Sequence, residues 1–257
     1  MTRTDIESQA AKRVSLRLSA LNLKSTALLL DVDGTLIDIA PAPHLVVVPD
    51  DLRRSLSRLS DLTDGAVALV SGRPVSDLDR LFAPLRLSAI GGHGAEMRIG
   101  DVSVDRGVAP LPEALRRRLS GIAAPGLLIE DKGYSLAVHY RAVPHLRHSV
   151  QQSIAEACEA FPSEAVEVLP GKEMLEVKRP GFDKGEAVRA LMTHAPFAGR
   201  VPVFIGDDVT DDSVFSILPQ LDGIGFSVER DLAGLAGVFD SPAQVRAALA
   251  ALAGQAA

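Results

Sequence analysis

A chain of 257 residues with 47% hydrophobic and 23% charged side chains has ordinary globular composition, which excludes a disordered protein. Its formal charge of −6, with two Tyr, eight Phe and no Trp, argues against nucleic-acid and anionic-membrane partners. Cys158 is the only cysteine, so intramolecular disulfides and cysteine-rich zinc sites are excluded.

Residues 1–25 read as an N-terminal extension without the apolar stretch of a signal peptide, and no apolar run approaches the ~20 residues of a membrane helix. A cytoplasmic protein is the expectation. Ala27–Leu30 reads as a buried strand ending at Asp31. Asp50 is placed to cap a helix through Leu59, with Leu52, Leu56 and Leu59 on one face. Ala66–Val70 is a second buried strand, and Pro74 suits the first turn of the helix that follows. Leu87–Ile90 is a third strand, running into Gly91-Gly92-His93-Gly94.

The rhythm then changes. Pro112–Ile122 is helical, and Gly126–Glu130 and Tyr134–Arg141 are strands. In the latter, Leu136, Val138 and Tyr140 alternate with Ser135, Ala137 and His139, so one face of an antiparallel sheet is solvated. His139 is read as decorating that exposed face. Leu146, Val150, Ile154, Cys158 and Phe161 mark one face of a helix, with Cys158 in the core. Ala165–Leu169 and Glu173–Lys178 flank Pro170-Gly171 as another hairpin. The parallel pattern resumes with a helix at Lys184–Met192 and a strand at Val201–Ile205. Short strands at 223–228 and 237–240 and a helix from Ser241-Pro242 to Leu252 complete the chain. The expectation is an α/β protein: a Rossmann-like parallel-sheet core (1–107 and 181–257) with an inserted α+β domain (108–180) of antiparallel sheet and two helices.

Asp31 and Asp33 follow an apolar strand, where open α/β sheets bind ligands, and carboxylates two apart on extended chain face the same way. An EF-hand loop begun at Asp31 would need Gly at 36 and Glu at 42, where Leu36 and Ala42 stand, so that reading fails. Gly206-Asp207-Asp208 is a second acidic strand end. Two such ends suit magnesium, although Asp207 and Asp208 could also merely open the helix after Thr210. Ser71-Gly72-Arg73 offers a hydroxyl and a bare backbone N–H before a helix, a phosphate cradle or a common turn. Lys184 is either a solvated lysine or a cation for that phosphate. A phosphate monoester carries about −1.5 to −2 near neutral pH. Bringing it to ~4 Å from a carboxylate costs roughly 4 kcal/mol per pair of unit charges at an effective dielectric of about 20. Only magnesium and Lys184 together make such an acidic site coherent.

Asp31-Val32-Asp33-Gly34-Thr35, Ser71-Gly72-Arg73, Lys184 and Gly206-Asp207-Asp208 resemble the four ordered motifs of haloacid-dehalogenase-like (HAD) phosphatases. A narrower resemblance, to trehalose-6-phosphate phosphatases, covers nearly everything beyond residue 25. It rests on Gly92-His93-Gly94-Ala95-Glu96, Glu130-Asp131-Lys132-Gly133, His139-Tyr140-Arg141, Gly171-Lys172 with Glu176-Val177-Lys178, and Gly206 to Asp211. Asp212 departs from the pattern, which has Glu there.

The resemblance implies a Mg2+-dependent phosphomonoesterase of trehalose biosynthesis, with Asp31 as nucleophile and Asp33 as general acid and base. It places the metal on Asp31, the Asp33 carbonyl, Asp207 and, in or near the shell, Asp208. Ser71, Gly72 and Lys184 hold phosphate. Glu130, Lys132, Lys172 and Glu176 contact the sugar from the inserted cap, and Arg73 and His93 line the entrance. Without the resemblance, Lys132 would be a turn lysine and Glu176 a solvated strand residue. The runner-up is another HAD-type sugar-phosphate phosphatase. The rivals from other classes are a phosphorylation-switch protein, which lacks a counterpart of Asp33, and a non-catalytic binding module. A monomer with a small sugar phosphate as its partner is expected.

Overall fold

Ala27, Leu28, Leu29 and Leu30 are fully buried because their strand runs through the middle of a sheet covered on both faces. A computed structural model describes residues 17–18, 20–40, 45–171 and 173–254. They divide into two compact units. One holds the described residues up to Ala40, Val46–Val104 and those from Asp183 on; the other holds Leu45 and Asp105–Phe182.

In chain order the larger unit begins with β1 (Thr26–Leu30), α1 (Asp50–Leu62), β2 (Val67–Val70), α2 (Val75–Phe82), β3 (Ser88–Gly91), β4 (Glu96–Ile99) and β5 (Val102–Val104). The smaller unit follows, with α3 (Glu113–Ser120), β6 (Leu128–Asp131), β7 (Ser135–His139), α4 (Arg147–Glu159), β8 (Glu167–Gly171) and β9 (Met174–Lys178). The chain returns with α5 (Lys184–Leu191), β10 (Val201–Gly206), α6 (Asp212–Ile217), β11 (Ile224–Val228), β12 (Gly237–Phe239) and α7 (Pro242–Gly254).

The large sheet has the order β12-β11-β10-β1-β2-β3-β4-β5. Leu28 and Leu30 face one way, into a cluster with Leu52, Leu56 and Leu59 of α1 and Val245, Leu249 and Leu252 of α7. Ala27 and Leu29 face the other way, toward Val188 and Leu191 of α5 and Val214 and Ile217 of α6. Both faces being covered, these strands read as unbroken apolar runs. Successive strands leave β1 in opposite directions, β2 and β3 to one side and β10 to β12 to the other. The switch point between β1 and β10, whose Leu30 and Ile205 are partners, is where such sheets bind ligands.

Several local expectations are corrected. β4 and β5 form an antiparallel hairpin on the edge of the large sheet. Its mid-strand Arg98 is buried because Asp79 and the Leu87 carbonyl take its guanidinium at 2.8 and 2.6 Å. Pro49, not Asp50, precedes α1, and Asp50 pairs with Arg53 at 2.7 Å. Pro74 likewise precedes α2 rather than starting it. Pro170 and Gly171 lie within β8, opposite Leu175 and Met174, so the hairpin turns later, where Glu173 has φ 59°.

In the smaller unit the strand order is β6-β7-β9-β8. Leu136, Val138, Leu175 and Val177 pack on one face against Leu115 and Leu119 of α3 and Val150 and Ile154 of α4; Cys158 is half-buried at the border of that cluster. Period two sends Glu130, Ala137 and Glu176, which share one row of the ladder, to the opposite face.

Candidate active site

Three adjacent strands deliver the first residues of the site. Asp31 follows β1, Ser71 follows β2 and Asp207 follows β10, and the Asp31 N–H donates to the Ile205 carbonyl at 2.9 Å. Lys184 opens α5 behind its cap Asp183, whose side chain accepts the Glu186 N–H at 2.8 Å. Its ammonium lies 2.7 Å from Asp31 Oδ1 and 2.7 Å from Asp211 Oδ1, with its side chain only 3% exposed. Burial alone would pull the lysine down, but Asp211 and Asp31 hold it charged, above its ordinary range.

Asp211 was not among the residues singled out from sequence. Its side chain is fully buried, and its second oxygen accepts the N–H groups of Asp207 (2.9 Å) and Asp208 (3.0 Å). One side chain therefore shapes the acidic loop and anchors Lys184. The available signal was the spacing Asp208-x-x-Asp211, in which an acid three residues after a helix cap reaches back to its N–H.

Asp31, Asp207 and Asp211 each offer a carboxylate oxygen, all within 4.8 Å of one another. Three carboxylates thus gather around a single ammonium in a buried place. Burial pushes the Asp31 carboxyl well above the carboxylate range; Lys184 pulls it back, and Asp211 and Asp207 push it further up. A hard, oxygen-binding cation fits this donor set. Gly34 has φ +88°, and a Cβ there would stand 2.2 Å from Asp207 Oδ2, so the turn tolerates no side chain. Thr35 Oγ1 donates to Asp207 Oδ1 at 3.1 Å.

The structure groups Asp211, not Asp208, with Asp31 and Asp207. Asp208 sits one residue before the turn Val209–Asp211, and its carbonyl accepts from Arg230 at 2.7 Å. Arg230 also pairs with Asp212 at 3.0 Å, so the shorter acid at that position still has a partner.

Arg73 makes a two-pronged pair with Asp33, Nε to Oδ2 at 2.6 Å and Nη2 to Oδ1 at 2.7 Å, which fixes the plane of that carboxylate. Ser71 Oγ accepts the Arg73 N–H at 3.2 Å, and its carbonyl accepts the His93 N–H at 3.1 Å. The His93 ring lies against Gly72, where a Cβ would come within 2.3 Å of Nε2. Glu96 takes the Val75 N–H at 2.6 Å, placing a carboxylate at the start of α2.

In the smaller unit, Glu176 is 1% exposed rather than solvated. It accepts from Lys132 at 3.1 Å and from Ser135 Oγ at 2.6 Å. His139 is not a surface decoration either: its side chain is 16% exposed and its Nε2 lies 3.3 Å from Glu130 Oε2. Burial raises Glu130, but the His139 hydrogen bond and the Lys132 charge outweigh it, so the carboxyl stays below its usual range despite Glu176 nearby. Lys172 lies outside the described residues.

A doubly covered parallel sheet with its switch point beside β1, carrying an inserted antiparallel unit, is the fold of HAD phosphatases. The trehalose-phosphatase family profile matches residues 29–235, and the chain belongs to that family. It is 40% identical over 204 residues to the trehalose-6-phosphate phosphatase of Escherichia coli K12, covering 77% of this chain and 75% of that protein. It is also 40% identical over 217 residues to a probable trehalose-phosphate phosphatase of Sinorhizobium fredii, covering 82% and 81%. The C-terminal domain of the Candida albicans trehalose-6-phosphate phosphatase has the same fold, with TM-score 0.78 at 24% identity over 93% of this chain and 96% of that one. No helix among the described residues is long and apolar enough to cross a membrane.

Proposed function

We propose that this chain hydrolyses trehalose 6-phosphate to trehalose and phosphate through a phosphorylated Asp31. The observation that carries the reading is the Asp31 carboxylate, buried at the end of β1 and held at 2.7 Å by Lys184. A carboxylate oxygen of Asp31 attacks phosphorus, and the bond from phosphorus to the sugar oxygen breaks. Asp33 delivers its proton to that oxygen, then takes a proton from the water that attacks the phospho-aspartate, freeing phosphate and restoring Asp31. Arg73 keeps the Asp33 carboxyl oriented between these two transfers. Ser71, Gly72 and Lys184 bind phosphoryl oxygens.

Asp31 and Asp207, through carboxylate oxygens, and the Asp33 carbonyl would hold magnesium, which would supply the charge neutralisation that lets an anionic substrate meet an anionic nucleophile. Asp211 is a closer candidate than Asp208 for the remaining support. Recognition of the sugar falls to the polar face of the smaller unit, through Glu130, Lys132 and Glu176, with Lys172 added by the family resemblance alone. In this reading the protein works as a cytoplasmic monomer whose partner is the sugar phosphate alone; its charge of −6 supports the absence of nucleic-acid partners.

Phosphate release from a panel of sugar phosphates tests the proposal. Trehalose 6-phosphate is expected to give the highest kcat/KM by a wide margin over glucose 6-phosphate. Comparable rates across the panel would overturn the assignment of the sugar and leave a general sugar-phosphate phosphatase.

A further inference from the structure

Glu130 and Glu176 flank Ala137 in one row of the small sheet, one strand to either side of it, which sets their Cα atoms about 10 Å apart. Their support is unequal. Glu176 is held by a buried ammonium and a hydroxyl, from Lys132 and Ser135. Glu130 is held by His139, and among the described residues its other oxygen, Oε1, makes no hydrogen bond. His139 lies two ladder rows away on the same face, opposite Leu128, on the diagonal from which a long side chain reaches across strands.

A carboxylate only accepts hydrogen bonds, so the His139 nitrogen facing Glu130 carries the proton. Without that donor Glu130 would feel repulsion from Glu176 and attraction to Lys132, whose ammonium stands 3.1 Å from Glu176. The carboxylate would then swing toward Lys132 and lose its place in the row.

We propose that His139 is a positioning residue for sugar recognition: its Nε2–H holds Glu130 by one oxygen so that the other is presented to a sugar hydroxyl. A hydroxyl donor and a fixed, ionised acceptor form a charge-assisted hydrogen bond, and its worth depends on the acceptor being oriented beforehand. The inference rests on the reading of this polar face as the sugar-binding face.

The test uses the full-length chain with magnesium, trehalose 6-phosphate and para-nitrophenyl phosphate. The variants are His139→Ala, His139→Gln, Glu130→Ala and the double alanine. His139→Ala should lower the ratio of kcat/KM for the sugar phosphate to that for the aryl phosphate roughly 10-fold, mainly through KM. Glutamine carries an N–H near the place of Nε2 and should recover most of that loss. The double variant should be no worse than Glu130→Ala, because His139 acts only through Glu130. Losses that multiply in the double variant, or a glutamine variant as poor as alanine, would overturn the inference in favour of a direct or purely structural role. A damaged Glu130→Ala beside an unaffected His139→Ala overturns the inference alone. An unaffected Glu130→Ala overturns the sugar-face reading and the inference with it.

Discussion

The ammonium of Lys184 stays in a buried place because two carboxylates, Asp31 and Asp211, meet it at the same distance of 2.7 Å. Removing one of them leaves the ammonium paired with the other, and this makes the roles of the acids separable. Asp31→Asn should abolish turnover while the fold persists, because a neutral amide is a poor nucleophile toward phosphorus. Near-normal phosphate release by that variant would end the covalent mechanism. Asp211→Asn should lower kcat/KM by about 10–150-fold, the worth of a lost charged hydrogen bond at roughly 1.5–3 kcal/mol. It should also raise the magnesium concentration needed for half-maximal activity, since the loop carrying Asp207 hangs on Asp211 through the 2.9 and 3.0 Å bonds. Asp208→Asn should cost less than Asp211→Asn. The reverse order in a magnesium titration would put Asp208 back in the oxygen cluster.

At the scale of elements, β1 carries both the core and the chemistry. Leu29 is fully buried and faces the cluster that includes Val188 and Leu191 of α5. Leu29→Ala should destabilise by about 2–5 kcal/mol, from lost transfer energy and the cavity left behind. Urea unfolding followed by circular dichroism checks this, and a loss under about 1 kcal/mol would mean that the sheet packs less tightly there than its burial implies. The β4–β5 hairpin illustrates what an element can hide. It joins strands of four and three residues and carries a charged mid-strand Arg98. The partner Asp79, brought near by α2, and the Leu87 carbonyl make that arginine an interior residue.

For the whole molecule, the acidity gathered around Asp31 is the property that should be felt globally. Chelation should abolish phosphate release, and added magnesium should restore it and raise Tm, because a ligand that binds only the native state stabilises it by mass action. Zinc should restore activity poorly at an all-oxygen site. Asp207→Asn should lose most of the magnesium-dependent rise in Tm, a readout independent of turnover. Full activity in metal-free buffer would remove the cation from the mechanism.

What the amino-acid sequence determined by itself lies where physics is local. Apolar runs such as 27–30 and 201–205, buried on both faces, announced the parallel strands. The alternation of Leu136 and Val138 with Ala137 and His139 announced an antiparallel strand, but the face expected to be solvated is covered too, with Ser135 and Ala137 buried. The motif order placed acids and a hydroxyl at strand ends and a lysine at a helix start. Pairing across distant segments was decided only by the tertiary structure. Asp211 looks like a first-turn acid until Lys184, far away in sequence, is brought to 2.7 Å. Arg73 looks like a ligand-facing cation until Asp33 takes Nε and Nη2 of its guanidinium. His139 looks solvated until Glu130 stands diagonally across the strands. The reason is common to all three: a charged side chain takes its role from the partner that compensates its charge, and the fold alone chooses that partner.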